Sequence, residues 1–210
     1  MRAARLVGGG EIECGRAITT CDPKRALLDL LPPAVLPLGI RKQIENWRCR
    51  GTVARVHLAL SSPLSIGGHH CEWARLGGGD IDHFERAFDA IKYRQASDSP
   101  FLELAQPSVA DPGLAPEGSH VVSAQVAYMP YDVEGGWDAS RWSALLDKVV
   151  ARFEHSAPGL SDSIVGSEVL APPEFELRYA FSGGHLHHGE NSLDQLLFVR
   201  PSHRLAHYAT

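Results

Sequence analysis

TVARVHLALS, residues 52–61, sets Ala54, Val56, Leu58 and Leu60 on one side of an extended chain, because side chains alternate across a strand. His57 then falls on the opposite face. Two further stretches share this character, PFLELAQPS at 100–108 and HVVSAQVAYMPY at 120–131, joined by VADPGLAPEG, whose prolines and glycines cannot continue a ladder. Antiparallel pairing is expected. In the second stretch Val122, Ala124, Val126 and Tyr128 share a face and leave Ser123 and Gln125 opposite, so one side of the sheet is the more polar.

Helical periodicity surrounds these strands. Trp142, Leu145, Leu146, Val149, Val150 and Phe153 recur at three and four until Pro158 and Gly159, and Ile81, Phe84, Ala87, Phe88 and Ile91 do so behind Asp80 as N-cap. Asp22 with Pro23 opens another helix, stopped at Pro32 and Pro33. A further helix carries Ile40, Ile44 and Trp47 inward, with Arg41, Lys42 and Arg48 on its wet side before Gly51. RLVGGGEIECGRAITT, residues 5–20, reads as two short strands about a glycine turn rather than a nucleotide loop, since it lacks the GxGxxG order and a following helix. SIGGHHCEWARLGGGD, residues 65–80, reads as a loop near a pocket. SDSIVGSEVLAPPEFELRYAF, residues 161–181, gives a helical turn, a strand through Val169 and a helix opened by Pro173. Strands cluster instead of alternating with helices, which makes the class α+β: a mixed, largely antiparallel sheet with flanking helices in one unit, residues 1–210.

Composition excludes several functions. A net charge of -5 and no Lys/Arg run argue against nucleic acid. Cys14, Cys21, Cys49 and Cys71 are too dispersed for a disulfide scaffold, and no stretch reads as a signal peptide or membrane span. A soluble protein of a reducing compartment, the cytoplasm or, in a eukaryote, the mitochondrial matrix, is expected.

The densest chemistry lies in SGGHLHHGENSLDQLLFVRP, residues 182–201. Gly183 and Gly184 let the backbone approach something bulky, beside His185, His187, His188 and Glu190. A metal set from His185, His187 and Glu190 lacks HExxH spacing and a partner elsewhere, so no metal is assigned. Neither Ser182 nor Ser192 sits in a GxSxG elbow. Ser192 is expected to cap a helix over LDQLLF, with Asp194 and Gln195 in its first turn, Leu193, Leu196 and Leu197 inward, and Pro201 as its stop.

GGHLHHGENSLDQLLFVRP is similar to the late motif of phytoene desaturase-like FAD-dependent oxidoreductases. CDPKRALLDLL, WRCRGTVARVHLALS, SVADPGLAPEGSHVVSAQVAYMPY and APGLSDSIVGSEVLAP agree in order, so the resemblance spans most of the chain. That family has an apolar or aromatic residue in place of His187. The resemblance implies FAD as redox group and a substrate lobe in which Gly183, Gly184, His185, His188, Gly189, Glu190, Asp194, Gln195, Arg200 and Pro201 lie near the flavin. His188 and Glu190 are the candidate catalytic pair, orienting substrate or flavin and assisting proton transfer if within hydrogen-bond reach; the alternative is that they only tie down the turn. It further implies that the family's N-terminal Rossmann segment and glycine-rich C-terminal segment are absent here. The expected ligand is a small apolar or amphipathic substrate, and the expected partner is a second copy or a flavin-binding chain. A non-catalytic remnant or interaction module that lost the flavin is the competing reading.

Overall fold

The computed structural model describes residues 3–77 and 79–205 and opens with the expected hairpin, β1 (Ala3–Arg5) antiparallel to β2 (Glu11–Glu13). Next, the Asp22 carboxylate accepts the backbone N–H groups of Lys24 and Arg25 at 2.9 and 3.2 Å, as an N-cap does. The helix behind it is only a wide turn, Arg25–Asp29, closed by Leu30 N–H on the Arg25 carbonyl. So short a run takes its shape from packing: Leu27, Leu28 and Leu31 lie on Leu36, Ile40 and Ile44.

Helix α1 (Leu38–Glu45) buries Ile40 and Ile44 as expected but ends before Trp47, whose N–H turns back to the Ile44 carbonyl. Trp47 and Arg48 therefore leave the helix and reach the 182–201 segment, a correction to their sequence assignment.

The main sheet contains β3 (Val53–Leu60), β4 (Trp73–Leu76), β5 (Phe101–Ala105), β6 (His120–Ala127) and β7 (Ile164–Leu170) in the order β4-β5-β6-β3-β7. Every neighbouring pair among the described strands is antiparallel, so the mixed element of the expectation is not found. Edge strand β4 lies where a loop was expected. Its Ala74 and Leu76 face the core and alternate with Trp73 and Arg75, a pattern that the flanking glycines conceal.

Helices α2 (Ile81–Lys92), α3 (Pro107–Ala110), α4 (Ala139–Ser156), α5 (Leu160–Ser163) and α6 (Pro172–Tyr179) complete the architecture. One face of the sheet is dry: Ala54, Val56, Leu58, Leu60, Leu102, Leu104, Val122, Ala124 and Val126 pack in one cluster with Leu145, Val149 and Phe153 of α4. Each such Val, Leu or Phe contributes about 1.5–3 kcal/mol through burial, and this contact holds the sheet in place.

The opposite face is half-buried and polar. Arg75, Glu103, Gln125 and Arg55 stand in register across four strands. Arg75 donates to Glu103 at 2.8 Å, Gln125 to the other Glu103 oxygen at 3.5 Å, and Arg55 to Gln125 and Ser123 at 3.2 and 3.3 Å. His57 lies on the same face, where burial pushes its pKa below the usual imidazole value. Alternation stops at Ala127. Met129 is fully buried, while the Tyr128 ring, expected with Val126, meets Phe88 edge-on at 5.2 Å instead.

Candidate functional site

Gly183 and Gly184 adopt φ of +60° and +65°, where a side chain is disfavoured. A Cβ on Gly183 would collide with the Cys49 carbonyl, and one on Gly184 with that of Pro172. The bulky neighbour expected from sequence is thus the chain's own backbone. Gly51 N–H seals this approach on the Gly183 carbonyl at 2.8 Å. Two carboxylates hold the turn from beneath: buried Asp22 accepts Ser182 N–H, and Glu176 accepts Gly183 N–H, both at 3.0 Å. Glu176 also accepts the Tyr131 hydroxyl, which raises that phenol's pKa to about 12.

The histidines then separate. His185 Nδ1 accepts the N–H groups of His187 and Gly189 at 3.1 and 3.4 Å. Burial, followed by His187, lowers the His185 pKa, which favours the neutral ring. His188, at φ +59°, sets its ring edge-on to Phe181 at 5.4 Å, with a buried Nδ1 that has no hydrogen-bond partner among the described residues. The His188 carbonyl accepts Trp47 Nε1–H at 2.9 Å, and Gly189 lies so close to the Trp47 ring that no Cβ fits. Among the described residues no three His, Cys, Asp or Glu side chains are grouped to hold a metal.

Arg48 organises the second half of the segment. Its guanidinium grips Asp194 through two bonds of 2.7 and 2.9 Å, Ser192 Oγ at 2.7 Å and Glu190 at 3.1 Å. Asp194 is held well below the usual carboxylate range, first by Arg48 and then by Ser192, and Arg48 is raised in turn. Gln195 is buried and bonds both backbone groups of Arg48, accepting its N–H at 2.7 Å and donating to its carbonyl at 3.0 Å. Arg200 donates to the carbonyls of His187, Gly189 and Glu190 and lies 5.3 Å from the Trp47 ring.

These contacts correct the expected LDQLLF helix. Two short turns, Leu193–Gln195 and Leu197–Val199, stand there, and Ser192 makes no cap bond. Leu193 and Leu197 point outward, 95% and 81% exposed, because Gln195 takes the inward position. His188 and Glu190 are placed on different partners, Phe181 for one and Arg48 with Arg50 N–H for the other.

A cleft of about 630 Å³ opens between this segment and the polar sheet face. Val53, Phe101, Glu103 and Gln125 form its floor, Phe84 and Phe88 of α2 with Tyr128 form one wall, and Gly184–His187 with Glu190–Ser192 form the other. Phe84 rests on Phe101 at 5.0 Å. Sequence periodicity assigned Phe84 and Phe88 to a core stripe; only Ala87 of α2 is buried among its described residues, and the aromatic rings turn to the cleft. Arg48, Trp47 and Asp22 were also missed, since no local pattern announces partners about 140 to 160 residues away.

The described residues do not fit a dinucleotide grip. Gly8–Gly10 turn a hairpin, and the glycine-rich connection from β4 to α2 opens on Asp80, whose carboxylate already takes His83 N–H at 2.7 Å. A pyrophosphate needs free N–H groups and no carboxylate at such a terminus.

No protein-family model matches the chain. It is 34% identical over 209 residues to pyridine nucleotide-disulfide oxidoreductase domain-containing protein 2 of Rattus norvegicus, covering 93% of this chain and 36% of the rat protein. The Mus musculus protein of the same name is 33% identical with the same coverage. A 4,4'-diapolycopene oxygenase of Methylomonas sp is 30% identical over 190 residues, 88% of this chain and 36% of that protein. The chain thus spans about a third of the length of these relatives, and the oxidoreductase resemblance read from its motifs holds over nearly all of it.

Proposed function

We propose that this chain is the substrate-facing portion of an FAD-dependent oxidoreductase of the phytoene desaturase-like kind, and that the cleft receives a small apolar or amphipathic substrate. The observation that carries this reading is the uncovered sheet face, roofed on one side by Phe84, Phe88 and Tyr128 and on the other by the glycine-histidine turn. Aromatic walls with a few polar groups are the usual composition of a small-molecule site. Similarity to part of the rat and mouse oxidoreductase domain-containing proteins supports the reaction class.

The flavin belongs to portions of the enzyme that these residues do not supply, because they lack a pyrophosphate cradle. In this reading the chain binds, orients and desolvates the substrate. Phe88 and Tyr128 stack on its apolar body, while Glu103 and Gln125, fixed in the Arg75–Arg55 ladder, mark the polar floor. The Arg48 and Arg200 clamps keep the opposing wall in place.

Equilibrium fluorescence with a dialkylnaphthalene tests the reading. The Phe88→Asp variant is expected to lose binding, whereas Trp137→Ala, in a separate hollow beside α4, leaves it unchanged. Unchanged binding by Phe88→Asp would place the ligand elsewhere and overturn the proposal.

A further inference from the structure

We propose that His185 is the cleft's dedicated hydrogen-bond donor: its Nε2–H takes an oxygen acceptor, a carbonyl or similar uncharged oxygen, at one end of the ligand. This rests on the cleft reading above and deepens it.

The turn determines the tautomer. Backbone N–H groups of His187 and Gly189 both point at Nδ1, which must present a lone pair to accept them. The single proton of a neutral imidazole is then on Nε2, whose direction diverges from Nδ1. That nitrogen has no protein partner among the described residues, and His185 is one of the residues that line the cleft. A protonated ring would aim an N–H at two N–H donors, so the turn itself selects the uncharged form.

Several of the other polar groups around the cleft are already paired. Glu103 is held by Arg75 and Gln125, Glu190 by Arg48 and Arg50 N–H, and Ser192 by Arg48. An uncharged donor among Phe84, Phe88, Phe101 and Tyr128 suits a flat apolar body ending in an oxygen. A carboxylate end would meet Glu103 on the floor and Glu190 on the wall.

The test uses a propionyl dimethylaminonaphthalene, whose emission moves to longer wavelength when its carbonyl accepts a hydrogen bond, beside the propyl analogue that lacks the carbonyl. His185→Asn places a side-chain oxygen where Nδ1 stands and so preserves the turn while removing the Nε2 donor. The ketone is expected to bind that variant about three- to tenfold more weakly than wild type, with emission at shorter wavelength. The propyl analogue should bind both equally. Should the variant not fold, nitrogen-15 spectra of the wild-type ring give the same answer: Nε2 carries the proton and its resonance shifts with the ketone only. Ketone binding unaffected by His185→Asn, or an Nδ1–H tautomer, overturns this inference and leaves the cleft reading standing. Failure of both compounds to bind removes the cleft reading and this inference together.

Discussion

Gln195 shows how much one buried amide carries. It satisfies both backbone groups of Arg48 at a point where the chain is neither helix nor strand, joining positions 147 residues apart. Gln195→Ala leaves the Arg48 N–H without its acceptor, while the Arg48 carbonyl keeps Glu190 N–H at 2.9 Å, and a loss of about 1–3 kcal/mol is expected in denaturant unfolding. Loss below a few tenths of a kcal/mol would mean that the pairing is replaceable by water. His185 makes a prediction of the opposite kind, one of pH. Its folded pKa is depressed below the imidazole value of about 6.5, so the unfolded chain binds the proton more readily. The stability contributed by the neutral ring is present above about pH 6.5 and is lost as pH falls through the lower folded value. The groups around it act in both directions, Glu190 favouring the proton and His187, Arg200 and His188 opposing it. Thermal midpoints of wild type should therefore fall more steeply than those of His185→Asn between about pH 7 and pH 5. Parallel decline in the two proteins would contradict the assignment.

At the scale of elements, α4 and the dry sheet face make the strongest prediction. Phe153 is fully buried among strand residues, and Phe153→Ala is expected to cost about 3–5 kcal/mol in unfolding free energy. The strand and helix that meet here were readable because each repeats its own period: two in Ala54, Val56, Leu58 and Leu60, and three to four in Leu145, Val149 and Phe153. Where the period is interrupted, reading failed. β4 hides between glycines, and Phe84 and Phe88 obey helical spacing yet serve a cleft, since periodicity reports which residues share a face and says nothing about what that face meets. LDQLLF misled for a related reason. Its leucines suggest an inward stripe, but Arg48, arriving from far along the chain, draws Ser192, Asp194 and Gln195 to itself and turns Leu193 and Leu197 outward.

For the molecule as a whole, apolar side chains remain on the outside at several places: Ile81 and Tyr93 on and beside α2, Leu177 and Tyr179 on α6, and Leu193 with Leu197 beyond. Where such side chains adjoin one another, they form the kind of surface that meets another. We propose that the isolated chain self-associates through it, and light scattering should show the average mass rising with concentration; a constant monomer mass over a wide range would count against this. Among the described residues no helix is long and apolar enough to cross a membrane. The antiparallel sheet, its dry face and the glycine turn were legible in the sequence, and the chain matches about a third of a longer oxidoreductase domain-containing protein of rat. The cleft was not legible, because it is assembled from β3, β5, β6, α2 and the 184–192 turn, whose meeting depends on tertiary contacts alone. Its existence as a binding site is best measured by assigned nuclear magnetic resonance spectra of the chain during titration with the naphthyl ketone. The account predicts that the largest shifts fall on Phe84, Phe88, Gln125, Tyr128 and His185. Shifts confined to the α4 side, at Trp137, Ala144 and Leu145, would contradict it.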